Sequence, residues 1–413
     1  MQSTALGRAQ THQLVAAAGI VSLIAAWGWG SSLLAVVGLT GLAGAAYMWS
    51  ARCGHPLYDA WRTRVASRGP ATVSHPAPVR PLGSKPAVQR PATASDMESY
   101  IEMLFAQDRY MLLLRPQIAD NLVAEARQQA IEALHRHMAL VPDGEVWLAQ
   151  PAFLQGEEQG DSPTHGQVVR VQAAYLDRYP VTNRQYKAFV DAGAYEEMAL
   201  WDPAVLAGLL DFVDRTGEYG PRYWQHAEYA AGLDEHPVVG ISWYEAAAYA
   251  RWAGKRLPSD PEWVKAGGWP ITSSGTVPQQ RKYPWGASMD DRRANLWSSG
   301  KNNTVPVTEY ASGVSVGGIY QLIGNVWEWT ASPYGQWHSP DQRVELQDRL
   351  RSLRGGAFDS YFDSQASCQF QSGDNPLSRK HNIGFRCALS VCELSPLIFE
   401  SPVEALTLCE SSA

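Results

Sequence analysis

The chain has 413 residues, enough for two or three domains, and carries a formal net charge of −7 with a sequence pI near 5.8. That acidic balance excludes the broad basic surface a nucleic-acid-binding protein needs. Five cysteines, an odd number, exclude a fully paired disulfide scaffold, and a charged fraction of 18%, below the ~25% usual for soluble domains, points to a segment outside water.

Residues Gln13 to Ser50 contain no Asp, Glu, Lys or Arg. As one helix the run would extend about 57 Å, nearly twice the ~30 Å hydrocarbon core of a bilayer. The Trp27-Gly28-Trp29-Gly30-Ser31-Ser32 stretch offers a break. The reading is a transmembrane helical hairpin within residues 1–51, with halves Leu14–Trp27 and Leu33–Trp49. Trp27, Trp29, Tyr47 and Trp49 sit near the ends, where amphipathic rings favour the interface. Ala16, Ala17, Ala18, Gly19, Gly41 and Gly44 would let two helices approach closely. A single tilted span and a cleaved signal peptide are the alternatives. The signal reading is opposed by the length of the apolar run and by a leader carrying only Arg8. Arg52, Arg62, Arg64 and Arg68 follow, opposed only by Asp59, so the positive-inside rule places this flank in the cytoplasm. The expectation is a bacterial inner-membrane protein with a cytoplasmic globular domain.

Residues 52–94 read as a basic, then proline-rich linker, with prolines at 70, 76, 78, 81, 86 and 91 enforcing a semi-extended spacer. Residues 95–140 read as helical. Ser95 with Glu98 fits a capping box. Tyr100, Ile101, Leu104, Phe105 and Met111 keep helical spacing up to Pro116. Beyond it Ile118, Leu122, Ala126, Ala130, Leu134 and Met138 form one stripe. His135 and His137, two apart on a helix, cannot chelate together and read as an exposed face. These short helices need a partner surface, which favours a protein partner or a membrane complex.

From Val141 the texture changes to short apolar runs, glycines, tryptophans and turn residues. Strands are expected at Val146–Leu154, Val168–Tyr175 and Ser352–Leu353. Helices are expected over Arg184–Ala192, capped by Thr182 or Asn183, and over Trp243–Ala253, capped by Ser242 and closed by Gly254. Residues 392–413 read as a tail.

Several blocks in 141–391 then carry a resemblance. In order they are Val141-Pro142-Asp143-Gly144, Tyr179-Pro180-Val181-Thr182-Asn183-Arg184-Gln185-Tyr186, His236-Pro237-Val238-Val239-Gly240-Ile241-Ser242-Trp243 and Trp252-Ala253-Gly254-Lys255-Arg256-Leu257-Pro258-Ser259. They continue with Glu262-Trp263, Tyr283-Pro284-Trp285-Gly286, Gly324-Asn325-Val326-Trp327-Glu328-Trp329, Arg354-Gly355-Gly356-Ala357-Phe358 and Ile383-Gly384-Phe385-Arg386-Cys387. In order and spacing this resembles the sulfatase-modifying-factor family, the domain of formylglycine-generating enzymes. The resemblance implies an α+β, loop-rich, C-type-lectin-like fold.

It also implies a site. The family enzyme holds copper between two cysteines, a thiolate pair suited to a soft ion. The matching positions here are Ser360 and Gln365, and the family's serine is Ala357, so no copper is expected. The His-rich helical bundle of the related iron sulfoxide synthases has no counterpart in 95–140, and His165, His226, His236, His338 and His381 are scattered. Calcium is implied instead. Its carried-over ligands are the Gln321 and Glu328 side chains and the Gly324 and Val326 carbonyls, with a second site starting at Asn295 and Leu296. Hard cations favour such oxygen sets. A buried acid hydrogen-bonded to backbone amides is the other reading of Glu328.

Three functions follow. The first is a ligand- or protein-binding or assembly subunit, membrane-anchored, using a pocket of Trp327, Phe358, Asp359, Ser360, Tyr361 and Gln365. The segment Phe358–Arg379 mixes aromatic and small polar side chains, like an adaptable paratope. The second is a metal-dependent oxidoreductase with altered chemistry in the same pocket. The third is a variable binding protein diversified by retroelements, a class that ends in a similar Ile-Gly-Phe-Arg block.

Overall fold

The computed structural model describes residues 94–149, 166–269, 280–335 and 350–399. The hairpin and linker expected over 1–93 lie outside the described residues. Among those described, no helix is long and apolar enough to cross a membrane.

The helical segment opens with α1 (Ala94–Ala106), followed by a 3₁₀ turn at Tyr110–Leu114. Arg115 is extended, as the residue before a proline prefers, and Pro116 starts the short α2 (Pro116–Ala119). The chain restarts as α3 (Ala124–His137), so the single helix expected after Pro116 is two pieces. Ala126, Ala130 and Leu134 do form its buried stripe.

These helices are not left without a partner surface. Leu104, Met111, Leu113, Leu114 and Leu134 are fully buried against Met138, Ala173, Tyr175, Leu389 and Val391 of the domain that follows. The start of the tail closes the same cluster. Ser395 donates its N–H to the Leu114 carbonyl and its hydroxyl to Asp120, while Ile398 and Phe399 pack alongside.

Three sheets frame the rest. β1 (Met138–Val141), β4 (Ala174–Asp177) and β9 (Ala388–Ser390) form an antiparallel sheet in the order β1-β4-β9. β2 (Gly144–Ala149) pairs with β3 (Gly166–Val171). The third sheet has the order β7-β6-β5-β8, from β5 (Trp327–Pro333), β6 (Arg351–Arg354), β7 (Ser372–Asp374) and β8 (Ile383–Phe385); its β5–β8 pair is parallel. The stretch Val168–Tyr175, expected as one strand, is divided between β3 and β4; β6 is longer than the expected Ser352–Leu353; and of Val146–Leu154 the described part, to Ala149, lies in β2.

Helices α4 (Asn183–Asp191), α5 (Trp243–Trp252) and α6 (Asp260–Gly268) each begin with a capping box. Thr182 pairs with Gln185, Ser242 with Glu245 and Ser259 with Glu262, which satisfies orphan N–H groups at each start. Between α4 and α5 lies an aromatic core. Tyr186 stacks on Tyr249 at 5.4 Å, and Phe189, Tyr195, Trp201, Trp252 and Phe385 fill the space around them. Much of the tryptophan content therefore serves burial, each large ring removing apolar area from water.

His137 departs from its exposed reading. It is half-buried at the end of α3, with its ring 5.6 Å from that of Tyr110. Burial first, with Lys255 and Arg136 adding, lowers its pKa below the ordinary imidazole value, against the pull of Asp108 and Asp177.

Two expectations follow. Leu114→Ala should cost about 2–5 kcal/mol in urea unfolding, since it opens a cavity between the helical segment and the domain. A cost near zero would mean that the segment is not docked. Stability should fall as the pH drops below about 6.5, because the unfolded chain takes up a proton on His137 that the folded chain resists. His137→Phe should flatten that slope. The flattening is partial, since burial lowers His236 in the same direction.

Candidate functional site

The family pocket is built by the third sheet and the loops that leave it. Pairing of β5 with β8 sets Trp327 opposite Ile383, and the Trp327 N–H donates to the Asn382 carbonyl. After β6 the chain turns sharply through Gly355, at φ +96°, where a Cβ would fall 2.5 Å from the Leu322 carbonyl oxygen. Only glycine tolerates that approach. The turn delivers Ala357 to Ser360, locked locally: the Ala357 N–H donates to Ser360 Oγ at 2.9 Å and the Ser360 N–H to the Ala357 carbonyl.

The result is a pocket of about 250 Å³ lined by Trp327, Asp359, Ser360 and Gln365, with Asp374, Lys380 and Asn382 completing it. Four of the six residues expected there are thus brought together. Phe358 is buried behind the wall, its ring 5.7 Å from that of His381. Tyr361 is 68% exposed and lies outside the lining, against Trp297 and Phe362. Trp297, from a loop more than sixty positions upstream, carried no sequence signal linking it to this segment. Lys380 and Asn382, just ahead of the Ile-Gly-Phe-Arg block, were also missed.

Electrostatics in the pocket are tightly paired. Asn382 Nδ2 donates to both Asp359 oxygens, at 3.1 and 3.0 Å, and His381 Nε2 stands 3.4 Å away. That contact fixes the amide orientation, because the opposite flip would set oxygen against carboxylate. Asp374 accepts from Lys380 at 2.6 Å and from Ser378.

Among the described residues the thiols are Cys368, Cys387 and the exposed Cys392, none of which lines this pocket. Cys368 is fully buried against α6, and its Sγ lies 2.8 Å from where a Cβ on Gly267 would be. Burial pushes its pKa up to about 12. Cys387 is likewise buried, and burial, with Asp177 beside it, raises its thiol well above the usual range. Neither is a thiolate near neutral pH, the form that binds soft metals.

The oxygen set proposed for calcium does not fit the ion. Both Glu328 oxygens are taken by Arg386, at 2.6 and 2.7 Å, and one also accepts from the Trp263 indole at 2.8 Å. The guanidinium already supplies the cation. Gln321 Nε2 donates to the Pro306 and Glu309 carbonyls, and its Oε1 accepts from Asn325. The Gly324 carbonyl accepts from the Val326 N–H. At the second position, Asn295 bonds Asn303, Asn325 and Ser299 through its side chain, and the Leu296 carbonyl accepts from the Ser299 N–H. Among the described residues no group of three or more His, Cys, Asp or Glu is placed to hold a metal.

Residues 124–391 match the sulfatase-modifying factor enzyme 1-like domain family. The chain belongs to that family. The match begins at α3, ahead of the Val141 read from the motifs. Over 291 residues the chain is 30% identical to the serine/threonine-protein kinase pkn1 of Chlamydia caviae, covering 68% of this chain and 42% of that protein. It is 30% identical over 275 residues to the hercynine oxygenase of Mycolicibacterium smegmatis, covering 61% of each. It is 33% identical over 298 residues to the formylglycine-generating enzyme of Thermomonospora curvata, covering 62% of this chain and 94% of that one. The chain therefore spans less than two thirds of the length of the first two.

Two tests follow from the Glu328 environment. Arg386→Met should destabilise by about 3–5 kcal/mol by stranding a buried carboxylate, and Glu328→Gln added to it should recover part of the loss. Saturating chelator should leave the melting temperature of the wild-type protein unchanged, because a site that binds no ion gains no linkage stability. A clear drop in that temperature would restore calcium.

Proposed function

We propose that this chain is a membrane-anchored binding or assembly subunit that uses the family pocket for recognition, not a copper-dependent formylglycine synthase. One observation carries the reading. The positions that match the copper cysteines are Ser360 and Gln365, both lining the pocket, while three aromatic residues stand exposed beside it with Tyr361 touching the other two, Trp297 at 52%, Tyr361 at 68% and Phe362 at 60%. Exposed aromatic clusters of this kind mark interaction sites, since each ring offers large contact area at low entropic cost. Their neighbour Ser360 holds them to the pocket: its carbonyl accepts the Trp297 N–H.

The charge-free run Gln13–Ser50 and the arginines after it support an inner-membrane anchor with the domain in the cytoplasm. A second reading, a metal-dependent oxidoreductase with altered chemistry, is favoured by the similarity to proteins named hercynine oxygenase and formylglycine-generating enzyme.

The full chain purified in mild detergent should co-purify with a partner in fixed stoichiometry, and Trp297→Ala with Tyr361→Ala and Phe362→Ala should release it. A clean monomer in both preparations would overturn the binding reading. Stoichiometric copper or iron in the same preparation would transfer the assignment to the oxidoreductase.

A further inference from the structure

A second pocket, of about 490 Å³, opens over the loop that follows the aromatic core, and its floor is built rigidly. Asp214 organises the loop from within. Its Oδ1 accepts from the Thr216 N–H and hydroxyl, both at 2.7 Å, and from the Glu218 N–H at 3.2 Å, and its Oδ2 accepts from the Ala227 N–H at 2.8 Å. Burial opposes the charge on that carboxyl, but these donors outweigh it and lower the pKa. Arg379 grips the loop from below. It donates to the Val213 carbonyl at 2.8 Å and to the Gly220 carbonyl, and is itself held by Glu245 at the start of α5.

On this floor Tyr223 is pinned. Its ring lies over Gly240, where a Cβ would come within 2.6 Å of the ring, and its hydroxyl donates to the Arg379 carbonyl. The Arg215 guanidinium lies 5.5 Å from the centre of that ring. Arg222 joins the same wall, fixed by its N–H to the Gly240 carbonyl at 2.8 Å.

Arg215 and Arg222 are both exposed, and neither guanidinium makes a hydrogen bond or ion pair among the described residues. Asp214 cannot serve them, because its oxygens are consumed inside the loop. Asp211 contributes the one other carboxylate of the lining. The Arg215 fork over a fixed aromatic face, with the Arg222 side chain on the same lining, suits an oxyanion, which accepts parallel N–H bonds from a guanidinium fork. The volume exceeds what an inorganic ion fills and lies in the range of small organic ligands.

We propose that this pocket binds a small organic oxyanion, a phosphate ester or a carboxylate, with its charged end between Arg215 and Arg222 and its organic part against Tyr223. The site is distinct from the family pocket, although the consecutive residues Arg379 and Lys380 each line one of the two.

Titration calorimetry on the full chain at low salt, with phenyl phosphate and benzoate as probes, tests this. At least one probe should bind saturably, and raised ionic strength should weaken it. Preference for phenyl phosphate assigns a phosphate ester, and equal or tighter benzoate binding assigns a carboxylate. Arg215→Ala and Arg222→Ala should each weaken binding about tenfold, the scale of one charge-assisted pair. Arg222→Lys should fall between, keeping the charge but losing the fork. Asp211→Asn should tighten binding by removing a repelling carboxylate. All three side chains are surface groups, and matched thermal melts confirm folding of the four variants. The proposal is overturned if neither probe saturates, if both alanine variants bind as the wild type does, or if Asp211→Asn weakens binding.

Discussion

A single buried ion pair organises the domain. Glu328 and Arg386 are both fully buried, and the guanidinium meets the carboxylate through two parallel bonds. Its remaining donors go to the Asp177 carbonyl at 3.0 Å and the Tyr320 carbonyl at 2.8 Å, while the Trp263 indole tops the carboxylate. One pair thus joins the third sheet, the end of β4, the loop before β5 and α6. Taking two charges out of water is costly and is offset only when every donor and acceptor is met. Here they are met, so the constraint is geometric. Strands too short to define their own register are held by a pair that tolerates one arrangement.

Around that pair the fold relies on caps and rings instead of long ladders. Each of α4, α5 and α6 starts with a reciprocal side-chain and backbone contact. In α5 the capping Glu245 also accepts from Tyr195 and Arg379, so a local device becomes a tertiary one. Asp260, at the start of α6, gathers Thr330, Ser352, Arg354 and Gln371 in the same way. Loop-rich domains must satisfy their backbone and buried charge by such means.

Local rules made the helices after Thr182 and Ser242 legible, because a cap and its partner lie three residues apart. Trp327, Asp359, Ser360 and Gln365 were legible as a pocket because the family blocks place them. The partner of Glu328 was not. The family resemblance implies a calcium ligand at that position, and nothing local says that a guanidinium 58 positions away meets the carboxylate. The docking of α1 to α3 was hidden for a similar reason. Their apolar stripe was visible, but its complement is scattered over Met138, Ala173, Tyr175 and Leu389. Sequence periodicity states that a face will be buried and leaves open what buries it.

The strand order has a consequence for synthesis. β4 receives one neighbour from residues 138–141 and the other from 388–390, and β5 gains its parallel partner only from residues 383–385. A nascent chain exposes Glu328 long before the ribosome delivers Arg386, and for that interval β4 and β5 each keep an open edge. Long-range pairing of this kind is slow and leaves surface exposed while it waits. A chain truncated ahead of Ile383 lacks the partner of Glu328 and leaves both edges unfinished together.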